Sequence, residues 1–405
     1  MTASFPPFDV AIAGGGIVGM SLALSLARAG ISVAVIEKTP MPSQLEPMFD
    51  GRVSAIAEGS RRILDAAGAW AGMTHEAQPI LDIRVSDGNT PFFIHYDHHE
   101  VGSAPFGYIV ENRFIRHALH RAAEALPNLS IIDNNSIRTF EPDAGGVTLH
   151  LGDGRDIRCS LLIGADGKQS SLRRMAGIDT VEWNYRQTAI VCTIHHERPH
   201  DGLAQERFLP AGPFAVLPMT GQRSSLVWVE PDERVKLYLE LPEEEFVQEI
   251  RERVGDYLGE MRAEGPRFAY PLSLMHAQSY IGPRLALIGD AAHAIHPIAG
   301  QGVNLGFRDV GVLSELITGR FRLGLDIGSA DVLKHYQRWR RFDNVTMLAV
   351  TDGLNRLFRT QLMPVRLARE LGMWTVGRIP PLKRFFMRHA MGLVGDLPES
   401  VKENA

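Results

Sequence analysis

Cysteine is almost missing from this chain: Cys159 and Cys192 are the two among 405 residues. Two thiols cannot make a disulfide framework, so both read as small core residues of a protein from a reducing compartment. Long apolar runs are missing too. Charges interrupt every stretch before it reaches the roughly 20 apolar residues a spanning helix needs, so any membrane contact is expected to be peripheral. Met1 to Asp9 lacks the basic, apolar and small-residue succession of a secretory signal, and the expected location is the cytoplasm. Positive charge is not in excess: 42 Lys and Arg against 47 Asp and Glu leave a net charge of -5. With no zinc-ligand spacing and no RNA-binding signature, nucleic acid is not an expected partner. No Ser/His/Asp or Cys/His set stands in a nucleophile turn, which removes support for hydrolase chemistry. His95, His98 and His99 with Asp97 lack a second pair of ligands elsewhere. They read as a solvated hairpin end, and no metal is expected.

What is present is the composition of an ordinary globular protein, 45% hydrophobic and 22% charged with 39 Gly and 24 Pro. The length exceeds what one growing core accommodates, so two packed units and an extension are expected. Apolar Phe8 to Ala13, the glycine turn Gly14 to Gly19, helix-forming Ile17 to Ala29 and branched Ile31 to Ile36 make a βαβ unit. Helical spacing follows over Glu58 to Ala67 and Glu111 to Ala125, with hairpin-like alternation over Ile80 to His95 between them. Short strands run from Ile131 to Ile163. A separate β-rich block extends from Thr188 to Leu274, carrying one helix-like insertion from Pro242 to Leu258. Arg284 to Ile288 is a buried strand leading into glycine-rich Gly289 to Gly306 and a helix to about Ile317. Beyond Ala330 the chain is helical, basic and aromatic, broken at Pro364 and Pro380-Pro381.

Gly14-Gly15-Gly16-Ile17-Val18-Gly19 fits G-x-G-x-x-G between strand and helix, and Glu37 closes the second strand 18 residues after Gly19. Gly14 makes the tight turn, Gly16 admits a pyrophosphate against the backbone, and Gly19 lets the helix pack on the strand. The helix N-terminus favours the anion, and Glu37 is placed to accept from an adenosine ribose. This motif alone does not separate FAD from NAD. Two later stretches do. Leu161 to Gly167 with Ser170, Ser171 and Arg173, and Leu287 to His293 continuing through His296-Pro297 and Gly300 to Gly306 to Arg308-Asp309, resemble the second and third fingerprints of the aromatic-hydroxylase flavoproteins that share the p-hydroxybenzoate hydroxylase fold.

More locally, Phe49 to Ala57, Val110 to Arg113 and His296 to Gly302 resemble the ubiquinone-biosynthesis hydroxylases of the 2-polyprenylphenol type. The resemblance covers nearly the whole chain. It implies an α/β fold in which a Rossmann-like FAD-binding domain (1–75, 105–180 and 281–330) carries an inserted β-rich substrate domain (76–104 and 181–280) and a helical C-terminal region (331–405). The residues it assigns to the cofactor are Gly14, Gly16, Gly19, Glu37, Lys38, Arg52, Asn112, Arg113, Asp166, Gly289, Asp290, Pro297, Gly300, Gly302, Val303 and Asn304. Asp290 would hold the ribityl hydroxyls. Either Asn112 or Arg113 would reach the pyrophosphate. Pro297, Gly300 and Gln301 would lie beside the isoalloxazine, and a helix opening at Gly302 to Asn304 would face the flavin N1 and C2 carbonyl with its positive end.

The implied activity is monooxygenation of a phenolic ring. Reduced FAD takes up O₂ at C4a, and the electron-rich carbon ortho or para to the phenol attacks the distal oxygen, so no side-chain nucleophile is needed. Electrons come from NADH, NADPH or a redox protein, between which no second nucleotide fingerprint decides. The implied substrate is a polyprenylated phenol of ubiquinone biosynthesis, held under an apolar wall from Thr188 to Leu274 whose residues the sequence does not name. Other readings are a flavin monooxygenase of a soluble aromatic or secondary metabolite, a flavin-dependent reductase of isoprenoid chains, and a flavin-sensing module. Leu354 to Leu393 intersperses Arg356, Arg359, Arg366, Arg369, Arg378, Lys383, Arg384 and Arg388 with Leu, Phe, Met and Trp. Such a surface suits peripheral attachment to the inner face of a membrane or to a multienzyme complex, and equally an ordinary helical subdomain with a solvated basic face.

Overall fold

In a computed structural model of the chain, the residues described are 7–41, 51–88, 90, 93–295, 300–360 and 362–402. Strand Phe8–Ala13 is buried almost throughout because parallel strands flank it on both sides, Val33–Ile36 and Asp156–Gly164, and a sheet of that kind is covered on both faces. Leu129–Ile132 extends this parallel sheet on one side and Leu285–Leu287 on the other. Five strands that meet in one sheet thus come from widely separated parts of the chain. Helix Ile17–Arg28 crosses between the first two of them, burying Met20, Leu22, Leu24 and Leu26.

The second sheet has eight strands in the order His293–Ala294, Met261–Ala277, Thr180–His196, Arg223–Pro231, Pro213–Met219, Leu203–Phe208, Asp82–Asp87 and Phe93–Asp97. Its pairings are antiparallel except where Leu203–Phe208 meets Asp82–Asp87. One face packs Phe214 and Trp228 against Phe246, Ile250 and Tyr238 of two helices, Asp232–Glu240 and Glu243–Val254. The sequence suggests a single helix there. The earlier one escapes notice because of its nine residues it buries just Val235 and Tyr238, a pair three apart and too few to show an apolar stripe. Cys159 and Cys192 are buried, and burial pushes both thiols up to about 12.

A small sheet pairs Gly107–Glu111 with Val53–Ala57 on one side and Gln78–Ile80 on the other, and packs near strand Pro213–Met219 of the eight-stranded sheet. Among the described residues four helices follow: Gln301–Arg322, Ala330–Arg359, Met363–Arg378 and Pro380–Ala390. Pro364 and Pro380-Pro381 fall in first helical turns, where a missing N–H costs nothing, so the expected breaks are helix starts. No helix among the described residues is long and apolar enough to cross a membrane.

Candidate active site

The three glycine motifs meet at the carboxyl ends of the parallel strands. Ala165 donates its N–H to the Ala13 carbonyl at 2.8 Å, and Ile288 donates to Gly164 at 2.9 Å. Gly14 has φ +105°, and a Cβ there would collide with the Ala165 carbonyl, so a side chain is excluded by conformation and by space. A Cβ on Gly19 would strike the Gly14 carbonyl, which is how closely the helix approaches its turn. Gly16 differs: nothing lies within 4 Å of where its Cβ would be. It caps helix Ile17–Arg28 without any side chain accepting from the first-turn N–H groups, which leaves them directed into open space.

The Glu37 carboxylate accepts from Gly15 N at 2.7 Å and Thr39 N at 2.8 Å, one bond per oxygen. A carboxylate oxygen takes more than one donor, so capacity remains for a ribose. Lys38 beside it is exposed. Asp166 spends Oδ2 on Ser171 N (2.7 Å), Ser171 Oγ (3.0 Å) and Leu172 N (3.2 Å), capping the short helix Ser171–Met175. Its Oδ1 is buried with no protein partner, an acceptor awaiting a donor.

Arg52 is exposed with its guanidinium 6.0 Å from the Tyr270 ring centre. Asn112 and Arg113 open helix Asn112–Glu124. The Asn112 Oδ1 accepts from Ser54 Oγ at 2.6 Å, and Arg113 pairs with Glu111 at 2.8 Å, whose other oxygen meets Arg223 at 3.0 Å.

In the third motif Gly289 (φ +57°) turns the chain out of strand Leu285–Leu287, and Asp290 follows it as an exposed residue. Protein around it raises its carboxyl above the usual range by desolvation, against the pull of His293 and Lys168. Pro297 lies outside the described residues. Gly300 (φ +61°) caps helix Gln301–Arg322 without a side-chain bond, so the helix opens one residue before Gly302. Gly302 has open space where a Cβ would stand, and Val303 is partly exposed. Asn304 is buried and its amide is spent: Oδ1 accepts from Ala57 N at 2.9 Å, while Nδ2 donates to the Ala55 and Gly300 carbonyls at 2.8 and 2.9 Å. That side chain braces the helix against strand Val53–Ala57, and the backbone is what it presents to a ligand.

Asp309, which ends this motif, has a role the sequence does not disclose. It is fully buried and accepts from Gly289 N (2.9 Å), His293 Nε2 (2.6 Å) and Arg340 Nε (2.7 Å). Burial alone would push its carboxyl up; His293 and Arg340 overcome that and hold it below the ordinary carboxylate range. The turn that presents Asp290 is thereby tied to helices Gln301–Arg322 and Ala330–Arg359 together.

From Gly300, Gln301 and Asn304 a cavity of about 700 Å³ runs between the small sheet, the open face of the eight-stranded sheet and the C-terminal helices. Its walls are overwhelmingly apolar, including Ile83, Val85, Ile94, Ala215, Leu217 and Val227. The sequence places an apolar wall in the Thr188 to Leu274 block; the hairpin Asp82–Asp87/Phe93–Asp97 and helices contributing Leu354, Phe358, Met373 and Phe386 complete it. Phe208 stacks on Phe358 with ring centres 3.8 Å apart, and buried Arg369 meets buried Asp87 at 2.6 Å, so sheet and helices are locked together over the cavity. Asp97, His98 and His99 bring ligand-capable atoms within 4.8 Å of one another. Asp97 Oδ1 accepts the His99 N–H at 2.9 Å and His98 Nδ1 lies 2.9 Å from the Leu81 carbonyl, contacts that shape a hairpin end.

Residues 7–341 match the family described as FAD binding domain. Ubiquinone hydroxylase UbiL of Rhodospirillum rubrum is 50% identical over 391 residues, 96% of this chain and 91% of that protein. The chain belongs to the FAD-dependent hydroxylase family of ubiquinone biosynthesis. The 3-demethoxyubiquinol 3-hydroxylase of Escherichia coli is 36% identical, covering 96% of this chain and 99% of that protein. Among solved structures, p-nitrophenol 4-monooxygenase PnpA from Pseudomonas putida shares the fold with a TM-score of 0.79 at 20% identity, over 96% of this chain and 98% of that one.

The residues present suit FAD, the cofactor this family implies. Two helix N-termini capped by glycine alone, the space beside Gly16 and Gly302, the orphaned Asp166 Oδ1 and the exposed Asp290 carboxyl offer the kinds of anion site and acceptor that a dinucleotide takes. When bound, the flavin supplies the transfer of one oxygen atom from O₂, and reducing equivalents come from an external donor.

Proposed function

We propose that this flavin monooxygenase hydroxylates the ring of a polyprenylated phenol in ubiquinone biosynthesis. One observation carries the substrate reading: the cavity that begins at the third glycine motif is large, apolar and roofed by the C-terminal helices. A ring near Gly300 leaves the rest of the volume for an isoprenoid chain, which an apolar lining favours over water at about 25 cal/mol per Å² buried. Gly14, Gly16 and Gly19 with Glu37, Arg52 and either Asn112 or Arg113 serve the adenosine and pyrophosphate, and Asp290 the ribityl chain. Gly300 to Asn304 serve the ring through backbone. The division of the chain into FAD-binding, substrate and C-terminal parts follows from the same assignment.

Delivery of a lipid-borne substrate fits the outer face of the C-terminal helices. Leu362, Met363, Leu367, Leu371, Trp374 and Phe385 are exposed there, interleaved with exposed Arg366, Arg384 and Arg388. Apolar side chains among cations are what an anionic bilayer surface takes up, and peripheral attachment is part of this proposal.

The quinone-lipid profile of a strain lacking the gene, with and without its restoration, tests the function by mass spectrometry. Loss of ubiquinone with accumulation of a polyprenylphenol one hydroxyl short is expected, and the accumulated ring names the carbon. An unchanged profile would move the substrate to a soluble aromatic compound.

A further inference from the structure

One carboxyl stands in the apolar cavity without a partner. On strand Leu203–Phe208, Glu206 is in register with Val85 on one side and Ala215 on the other, and that row continues to Ile94 and Val227. Residues in register across a sheet share a face, so Glu206 interrupts an otherwise apolar row on the cavity floor. Among the described residues its carboxyl has no hydrogen-bond or ion-pair partner. Its sequence neighbour Arg207 points the other way, bonding the Arg253 and Gly88 carbonyls. Arg84 and Gln205, paired in register, lie beside Tyr257 on that opposite face.

The ionisable side chains lining the cavity, among the described residues, are Tyr96, Glu206 and Arg369. Arg369 is committed to Asp87 and to the Leu357 and Phe358 carbonyls. Tyr96 is held protonated, since burial pushes its hydroxyl up to about 12. An unpartnered carboxyl in apolar surroundings is costly, and that cost is offset when a ligand brings a donor to it.

We propose that the Glu206 carboxylate receives the phenolic hydroxyl of the substrate and takes its proton as the ring is hydroxylated. The inference rests on the phenol reading above. The phenolic O–H bond breaks, a new O–H bond forms on Glu206, and the electron pair left on the phenolic oxygen spreads to the ortho and para ring carbons. One of these carbons bonds to one atom of O₂ as the O–O bond breaks, the two electrons and two protons that this requires coming from the external donor and solvent. The ring carbon then releases its own hydrogen as a proton to the second oxygen atom, which leaves as water, and Glu206 returns the first proton to the phenolic oxygen, so the carboxylate is restored. Burial pushes the Glu206 carboxyl up to about 8, so the carboxylate that takes the proton prevails above that pH and stands closer to a phenol at roughly 10 than an ordinary carboxylate does.

The test uses the full chain loaded with FAD at pH 9, where the Glu206 carboxyl is ionised, and two probes, 2-farnesylphenol and its methyl ether, which has a similar shape and no hydroxyl proton. Binding is read from the flavin absorbance, and turnover from the hydroxylated product after dithionite reduction and exposure to O₂. Wild type should prefer the phenol at least about tenfold, as a hydrogen bond to a charged group gives. In Glu206→Leu, which removes a carboxyl and adds an apolar side chain, FAD content should persist and the preference should shrink to within about twofold. Glu206→Gln keeps an acceptor but no base; it should retain much of the preference and lose about a hundredfold or more in turnover. A preference unchanged in Glu206→Leu, or full turnover in Glu206→Gln, overturns the role of Glu206 and leaves the phenol hydroxylase reading standing. Failure of wild type to bind either probe overturns both.

Discussion

Replacing Asp309 with Ala removes acceptors from three donors at once: the Gly289 N–H, His293 Nε2 and Arg340 Nε. The side chains of His293 and Arg340 are 1% and 3% exposed, so water cannot take the place of the lost carboxylate. Arg340 keeps Asp343 at 2.6 Å and Asn344 at 2.7 Å, which spares part of the loss. Removing one member of a buried, hydrogen-bonded charge pair costs about 3–5 kcal/mol, and this substitution belongs in the lower half of that range. Urea unfolding of the FAD-free chain at neutral pH measures it. The sign with pH follows from the depressed carboxyl: its contribution is whole above the unfolded-state value and drains away as pH falls through the folded-state one. The gap between wild type and variant should therefore narrow as the medium is acidified below the ordinary carboxylate range. FAD affinity should fall as well, because Asp309 fixes the turn that aims Asp290. A destabilisation under about 1 kcal/mol, with FAD affinity unchanged, would refute the claim that this buried cluster holds the third motif in place.

Asp290→Ala should weaken FAD binding by about 1–3 kcal/mol, measured by flavin fluorescence titration, with little change in the stability of the FAD-free chain. The two motif glycines should separate: Gly16→Val folds but purifies colourless, since its side chain enters open space needed by the pyrophosphate, whereas Gly14→Val fails to fold because it meets the Ala165 carbonyl. Circular dichroism and flavin content distinguish these outcomes. Glu206→Leu should raise the thermal midpoint more at pH 9 than at pH 4. The folded-state carboxyl is raised to about 8, so the cost of ionising it in the native protein appears as pH climbs from the unfolded-state value of 4.5 and is complete above 8. Leu371→Glu combined with Trp374→Glu, both at exposed positions, should cut sedimentation with anionic phosphatidylglycerol vesicles about tenfold and leave FAD content untouched.

The parts of this site that can be read in the sequence are those whose chemistry is local. Gly14, Gly16 and Gly19 carry their reasons in their spacing, and Glu37 follows at a fixed distance because one helix and one strand separate it from the turn. Asn304 is legible as a position but not as a contact, since the strand that consumes its amide lies some 250 residues earlier. Glu206 is invisible for a related reason. Within Leu-Ala-Gln-Glu-Arg-Phe it is one of three polar residues in a row, and its register with Val85 and Ala215 is what turns it towards an apolar cavity. The C-terminal helices read as a surface because their cations and aromatics are conspicuous. That Phe358 and Met373 roof the cavity depends on Phe208 and on the pairing of Asp87 with Arg369, contacts spanning as many as 282 positions.

The most direct test is a single turnover of purified, FAD-loaded protein, reduced by dithionite and mixed with ¹⁸O₂ and 2-farnesylphenol. Mass spectrometry should find a ring-hydroxylated product carrying one ¹⁸O atom. Reoxidation of the flavin with the phenol recovered unchanged and all the oxygen appearing as hydrogen peroxide would contradict the account.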